Sequence, residues 1–187
     1  LYDESGMTGQ WGATINLLTR ITLNAPMGGD AEQLFRYQRA LYRLGRAESE
    51  RAMGQDLRAA AGHFKMAGRQ WREDLGKRLQ KHLDSNPNDE YLRSVGEASQ
   101  ELADAAEVAE LETQVRLGEG ADTESNQRDF MTREGALMNT ARYRLGSMLY
   151  ADHVYSMAAP MLVKAFEENP DRAKEQPAMG ILVAESL

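Results

Sequence analysis

The sequence predicts an all-α protein built from antiparallel helical hairpins, and three observations carry that expectation. Only five of the 187 residues are proline, while Ala, Leu, Glu, Gln and Arg, which enter a helix at little cost, are abundant. Apolar stripes such as Trp71, Leu75, Leu79 and Leu83 recur at helical spacing. Finally, Ala40-Leu41-Tyr42-Arg43-Leu44-Gly45 returns 101 residues later as Ala141-Arg142-Tyr143-Arg144-Leu145-Gly146, close to three units of a repeat of about 34 residues.

A first helix is expected over 8–24, where Trp11, Ala13 and Leu17 precede a stop at Ala25-Pro26. A second, over 30–51, carries the first copy of the hexapeptide. A third, over 56–68, places Ala60, Phe64 and Ala67 on one stripe, and a fourth, over 70–85, ends at Asp84-Ser85-Asn86-Pro87. Proline stops it because it lacks an amide hydrogen and its ring disfavours helix in the residue before it. A long helix is expected over 89–117, with Gly96 its one interruption, followed by a loop from Gly118 to Gln127. Helices over 127–151, 154–168 and 173–186 complete the chain.

Leu145-Gly146 followed by Ala158, Leu162, Ala165 and Pro170 resembles the tetratricopeptide pattern of Leu-Gly in the first helix of a hairpin, small-large-small in the second, and proline at the exit. Arg142 stands where that family prefers Trp, and Leu149 where it prefers Tyr. Leu44-Gly45 with Ala60, Phe64 and Ala67 is a looser copy, with about three extra residues around Met53-Gly54-Gln55 lengthening the turn. Gly9-Gln10-Trp11 with Ala13 and Leu17 resembles a second helix alone, and Met179-Gly180-Ile181-Leu182-Val183 resembles another start. The glycines let paired helices approach closely, and Leu162 fills the gap between them. The resemblance implies hairpins stacked as a short tetratricopeptide-like solenoid, one helical-repeat domain over 1–187 cut from a longer protein. Its best repeat is 139–172, its looser repeat 38–69, and 70–127 an atypical long hairpin.

Net charge is −7, yet between Arg36 and Lys81 there are 12 Lys or Arg against five Asp or Glu. Such a block marks either an electrostatic surface or solvated helix faces. Arg36, Arg39, Arg43 and Arg46 beside Tyr42 form one cationic stripe, and guanidinium forks bind carboxylate and phosphate alike. An RNA-binding helical repeat acting through 36–81 is the alternative this raises, and the acidity of the whole chain opposes it.

Catalytic chemistry finds little purchase. The chain has no cysteine, which removes thiol catalysis, disulfides and zinc-thiolate sites and leaves the compartment open between cytoplasm and periplasm. His63, His82 and His153 lack a His or Glu at metal-site spacing. Glu101, Asp104, Glu107 and Glu110 line one side of a helix and read as an exposed acidic face, because general acid–base work would need burial. Gly6-Met7-Thr8-Gly9 and Gly28-Gly29 lack the Lys and Ser/Thr of a phosphate loop. No apolar run reaches the roughly 20 residues that span a bilayer. The expectation is therefore no enzyme, no metal and no cofactor.

The resemblance also implies a concave groove lined by Arg39, Tyr42, Arg43 and Arg46 in the earlier unit, and by Thr140, Tyr143, Arg144, Ser147 and Tyr150 in the later one. Arg pairs with carboxylates and Tyr supplies rigid contact area, so such a groove favours an acidic or carboxylate-ended segment of a protein partner. The family's Lys/Asn carboxylate clamp is not matched. The function expected is a protein–protein interaction scaffold within a larger assembly, with a purely structural subunit as the other reading.

Overall fold

The computed structural model describes residues 11–24, 26, 29–51, 54–118, 123–175, 180, 181 and 183, and every regular element among them is helical. The chain divides into two compact units, Leu1–Leu117 and Gly118–Leu187.

In the first unit, helix α1 spans Trp11–Thr22 and lays Ile15 and Leu18 against Leu44 and Ala47, with Trp11 at the edge. Helix α2, Ala31–Arg51, begins where the Asp30 carboxylate accepts a hydrogen bond from the Gln33 amide at 2.8 Å, satisfying one of the donors that every helix start leaves orphaned. Helix α3, Gly54–Gln70, runs through a π-helical turn, Trp71–Leu75, into α4, Gly76–Ser85. Helix α5, Glu90–Leu117, starts as the sequence predicts after Asn88. There the Asp89 carboxylate accepts from the Leu92 amide at 3.0 Å.

Helices α2, α3 and α5 pack on one another. Leu41, Ala67 and Ala106 form one shared cluster, and Ala60, Phe64 and Ala109 another. Further along, Leu34, Leu75, Leu79 and Val95 join α2, the π turn, α4 and α5. Polar ties cross the same interfaces. Gln38, fully buried, donates to the Ser99 carbonyl at 3.0 Å, and Arg116 donates to the Ser49 hydroxyl at 2.7 Å.

The expected break between 68 and 70 does not occur, because nothing there breaks a helix. The Gly76 amide bonds back to the Trp71 carbonyl, five residues earlier, and a Cβ on residue 76 would sit 2.9 Å from that oxygen. Glycine is what lets the wide turn close. Gly54 already belongs to α3, whereas Ala52 and Met53 lie outside the described residues, as do Gly9, Gln10, Ala25 and Gly28.

In the second unit, α6 spans Thr123–Thr132, α7 Ala136–Ala151, α8 Tyr155–Glu168 and α9 Asp171–Glu175. Gly180, Ile181 and Val183 are also helical, while Met179 and Leu182 fall outside the described residues. The single helix expected over 127–151 is thus two. Gly135 has φ +124°, a backbone region that side-chain-bearing residues rarely adopt, and the chain turns there. Helix starts at Thr123, inside the stretch the sequence marks as loop, so the loop to Gln127 is shorter than the sequence suggests. Helices α7 and α8 pack through Ala158, Leu162 and Phe166, with Val183, Tyr143, Leu149 and Tyr150 against them. No helix among the described residues is long and apolar enough to cross a membrane.

Candidate functional site

The repeated hexapeptide does the same packing work in each unit. A Cβ on Gly45 of α2 would come within 2.9 Å of the Phe64 ring of α3, and one on Gly146 of α7 within 2.8 Å of Leu162 Cγ of α8. Phe64 and Leu162 are both sealed from solvent. Each glycine therefore sets how closely its hairpin closes.

Of the four groove residues expected on α2, Arg39 is exposed, with its guanidinium 5.6 Å from the Phe35 ring centroid. Arg43 is exposed and has no partner among the described residues. Arg46 pairs with Glu50 at 2.9 Å, and the neighbouring Arg36 pairs with Glu32, so half of the cationic stripe is neutralised on its own helix. Tyr42 turns inward instead, its ring 5.6 Å from that of Phe64.

On α7 the five expected residues separate similarly. Thr140 is exposed and accepts a hydrogen bond from Arg172 at 2.9 Å, and the same guanidinium lies 4.7 Å over the Tyr143 ring. Arg172, which no sequence pattern singles out, thus brings Thr140 and Tyr143 together. Tyr143 also packs 6.0 Å from Phe166. Tyr150 meets Tyr155 edge-on at 5.5 Å. The Ser147 hydroxyl donates to the Tyr143 carbonyl at 2.7 Å, and Arg144 is half-buried.

The residue that departs most from the repeat pattern is Arg142, and it is the largest fully buried side chain among the described residues. It donates to the carbonyls of Phe130 at 2.6 Å and Arg133 at 2.9 Å. Its other terminal nitrogen meets both oxygens of Glu168, at 2.7 and 2.8 Å. Asn139 adds a bond to Glu168 at 3.2 Å. Burial pushes the Glu168 carboxyl up, but the hydrogen bonds from Arg142 and Asn139 and the charges of Arg142 and Lys164 outweigh it and hold the group below its ordinary value. This hub ties α6, α7 and α8 together. Its only sequence signal is a charged residue at an otherwise apolar repeat position.

Each unit carries a cleft among the described residues. In the second unit a cleft of about 480 Å³ opens at the start of α7, beside Asn139, Thr140, Lys164, Glu168 and Arg172. In the first, a groove of about 420 Å³ runs between α4 and α5 over Trp71, Leu79 and Leu83. Of the acidic row on α5, Glu101 and Asp104 are exposed and Glu107 pairs with Arg72 at 3.4 Å. Glu110 departs from the expected exposed face: it is half-buried, and burial raises its carboxyl, with Lys65 and Arg72 pulling the other way. His63 contacts Glu48 at 2.7 Å and His153 the Tyr155 hydroxyl at 2.7 Å. Among the described residues no three His, Asp or Glu side chains converge on a point that could hold a metal.

No family model, curated protein or solved structure matches the chain.

Proposed function

We propose that this chain is a protein–protein interaction module of divergent tetratricopeptide-like type, its hairpins stacked as a short solenoid that holds a peptide or helix of a partner within a larger assembly. The observation that supports the reading best is the paired closure of Gly45 on Phe64 and Gly146 on Leu162. The same hexapeptide, 101 residues apart, performs the same close approach twice, which is what a repeat architecture requires of its packing positions. The exposed Arg39 and Arg43 make an acidic or carboxylate-ended segment the fitting ligand.

The test uses an array of acidic and carboxylate-ended peptides, with Arg43→Glu/Arg144→Glu as the paired variant. Capture of such peptides by the native chain and its loss in a variant with an unchanged circular-dichroism melt supports the groove. Capture that survives the charge reversal removes it. A purely structural subunit is the second reading, favoured by the exposure of Leu17 at 37% and Ile21 at 51% on α1, one turn apart on the same helix face, since contiguous apolar exposure marks a surface for burial in an assembly. Under that reading Ile21→Lys changes the size of the assembly and leaves peptide capture intact.

A further inference from the structure

We propose that the groove between α4 and α5 receives an amphipathic helix of a partner protein whose apolar face is flanked by lysine or arginine. The proposal rests on the interaction-module reading and gives it a second surface, on residues other than the arginines of α2. The groove floor runs along Trp71, Leu79 and Leu83, a length of about 18 Å at 1.5 Å per residue, or roughly three turns of a docked helix. Gly96 keeps the opposite wall low. A Cβ there would lie 3.6 Å from Leu79 Cδ1, an ordinary contact, so packing does not demand glycine, and a longer side chain would fill the groove.

The rim supplies the charge argument. Glu97 and Glu101 line the groove, are exposed, stand one turn apart on α5 and have no hydrogen-bond or ion-pair partner among the described residues. Other carboxylates of α5 and the π turn are paired: Asp74 with Arg78, Glu73 with Arg69 and Glu107 with Arg72. Arg93, which also lines the groove, is engaged by the Pro87 carbonyl. Two unpaired carboxylates beside an apolar floor complement a helix that carries apolar anchors at i, i+3 or i+4 and i+7 with cations beside them.

The experiment uses the full 187-residue chain with Trp11→Phe, which leaves Trp71 as its sole tryptophan. The probes are two designed helical peptides of about 16 residues that share one leucine face, the first flanked by lysine and the second by glutamate. The lysine peptide is expected to shift Trp71 emission to shorter wavelength saturably, and the glutamate peptide to bind about 10-fold more weakly. Gly96→Leu abolishes the shift with an unchanged melt, Glu97→Lys/Glu101→Lys inverts the preference, and the milder Glu97→Gln/Glu101→Gln erases it. Equal binding of the two peptides, or lysine-peptide binding untouched by Gly96→Leu, overturns the proposal. So does a dimer in sedimentation that Gly96→Leu dissolves, because the occupant would then be a second copy. The Arg43→Glu/Arg144→Glu chain should bind the lysine peptide normally, so failure of the cationic groove and failure of this one are read separately.

Discussion

At the scale of single residues, Arg142 and Glu168 dominate the second unit. Truncating the guanidinium strands a carboxylate and removes the donor from two backbone carbonyls, a change worth about 3–5 kcal/mol in a dry interior. Glu168 keeps 22% of its side chain exposed, so Arg142→Ala should cost about 2–3 kcal/mol in urea denaturation. Arg142→Met/Glu168→Gln, which removes both charges and refills the volume, should cost less than either single change. The pH dependence has a definite sign. Because the Glu168 carboxyl is held below its ordinary 4.5 when folded, its contribution is full at neutral pH and is lost as pH falls through the folded value. A melting series from pH 7 to pH 3 should show the decline in the native chain and a flatter curve in Glu168→Gln. None of this is legible in the sequence. The repeat pattern marks position 142 as a mismatch, and nothing local announces that its partner stands 26 residues on.

At the scale of elements, glycines decide several geometries, and they predict opposite outcomes. Gly146→Ala drives a Cβ to within 2.8 Å of Leu162 Cγ and 3.4 Å of the Ala158 carbonyl. Overpacking of about 1–3 kcal/mol then outweighs a helix-propensity gain of about 1 kcal/mol. In α3, nothing lies within 4 Å of the point a Cβ on residue 62 would occupy, so Gly62→Ala should stabilise by about 0.5–1 kcal/mol. Denaturation of the two variants under one condition checks the contrast, and stabilisation by both would remove the close-approach argument. The glycine roles at 45 and 146 are readable from the sequence, because small residues at hairpin positions have one packing reason. Gly135 is not: an isolated glycine in a helical stretch carries no mark of the backbone angle it will adopt. Asp89, which caps α5, by contrast stands where the sequence starts that helix.

At the scale of the molecule, the all-helical class is legible from composition and stripes, while the division after Leu117 is not, since the sequence between Gly118 and Gln127 reads simply as one more loop. Each unit buries its own clusters. Residues 118–187 expressed alone should therefore retain helical circular dichroism and a cooperative melt, and a featureless melt would show that these clusters do not suffice. The basic block from Arg36 to Lys81 is also less of a surface than its +7 suggests, because Arg36, Arg46, Arg51, Arg69, Arg72 and Arg78 each hold a carboxylate. What remains outward on α2 is Arg39 and Arg43.

The π turn also sets the rotational phase of the helix that follows it. From Ala60 to Leu79 is 19 residues, and an uninterrupted α-helix would rotate the second about 100° away from the first. The π turn holds roughly one surplus residue per turn and rotates the chain back by a similar angle, so that Ala60 and Leu79 address the same helix, α5. Deleting a single residue inside Trp71–Leu75 should restore regular winding over 18 residues, five whole turns, and keep Leu79 and Leu83 on α5, whereas inserting one there should swing both about 100° off it, even though no apolar side chain of α4 is lost. Length, not composition, would then be what breaks the core.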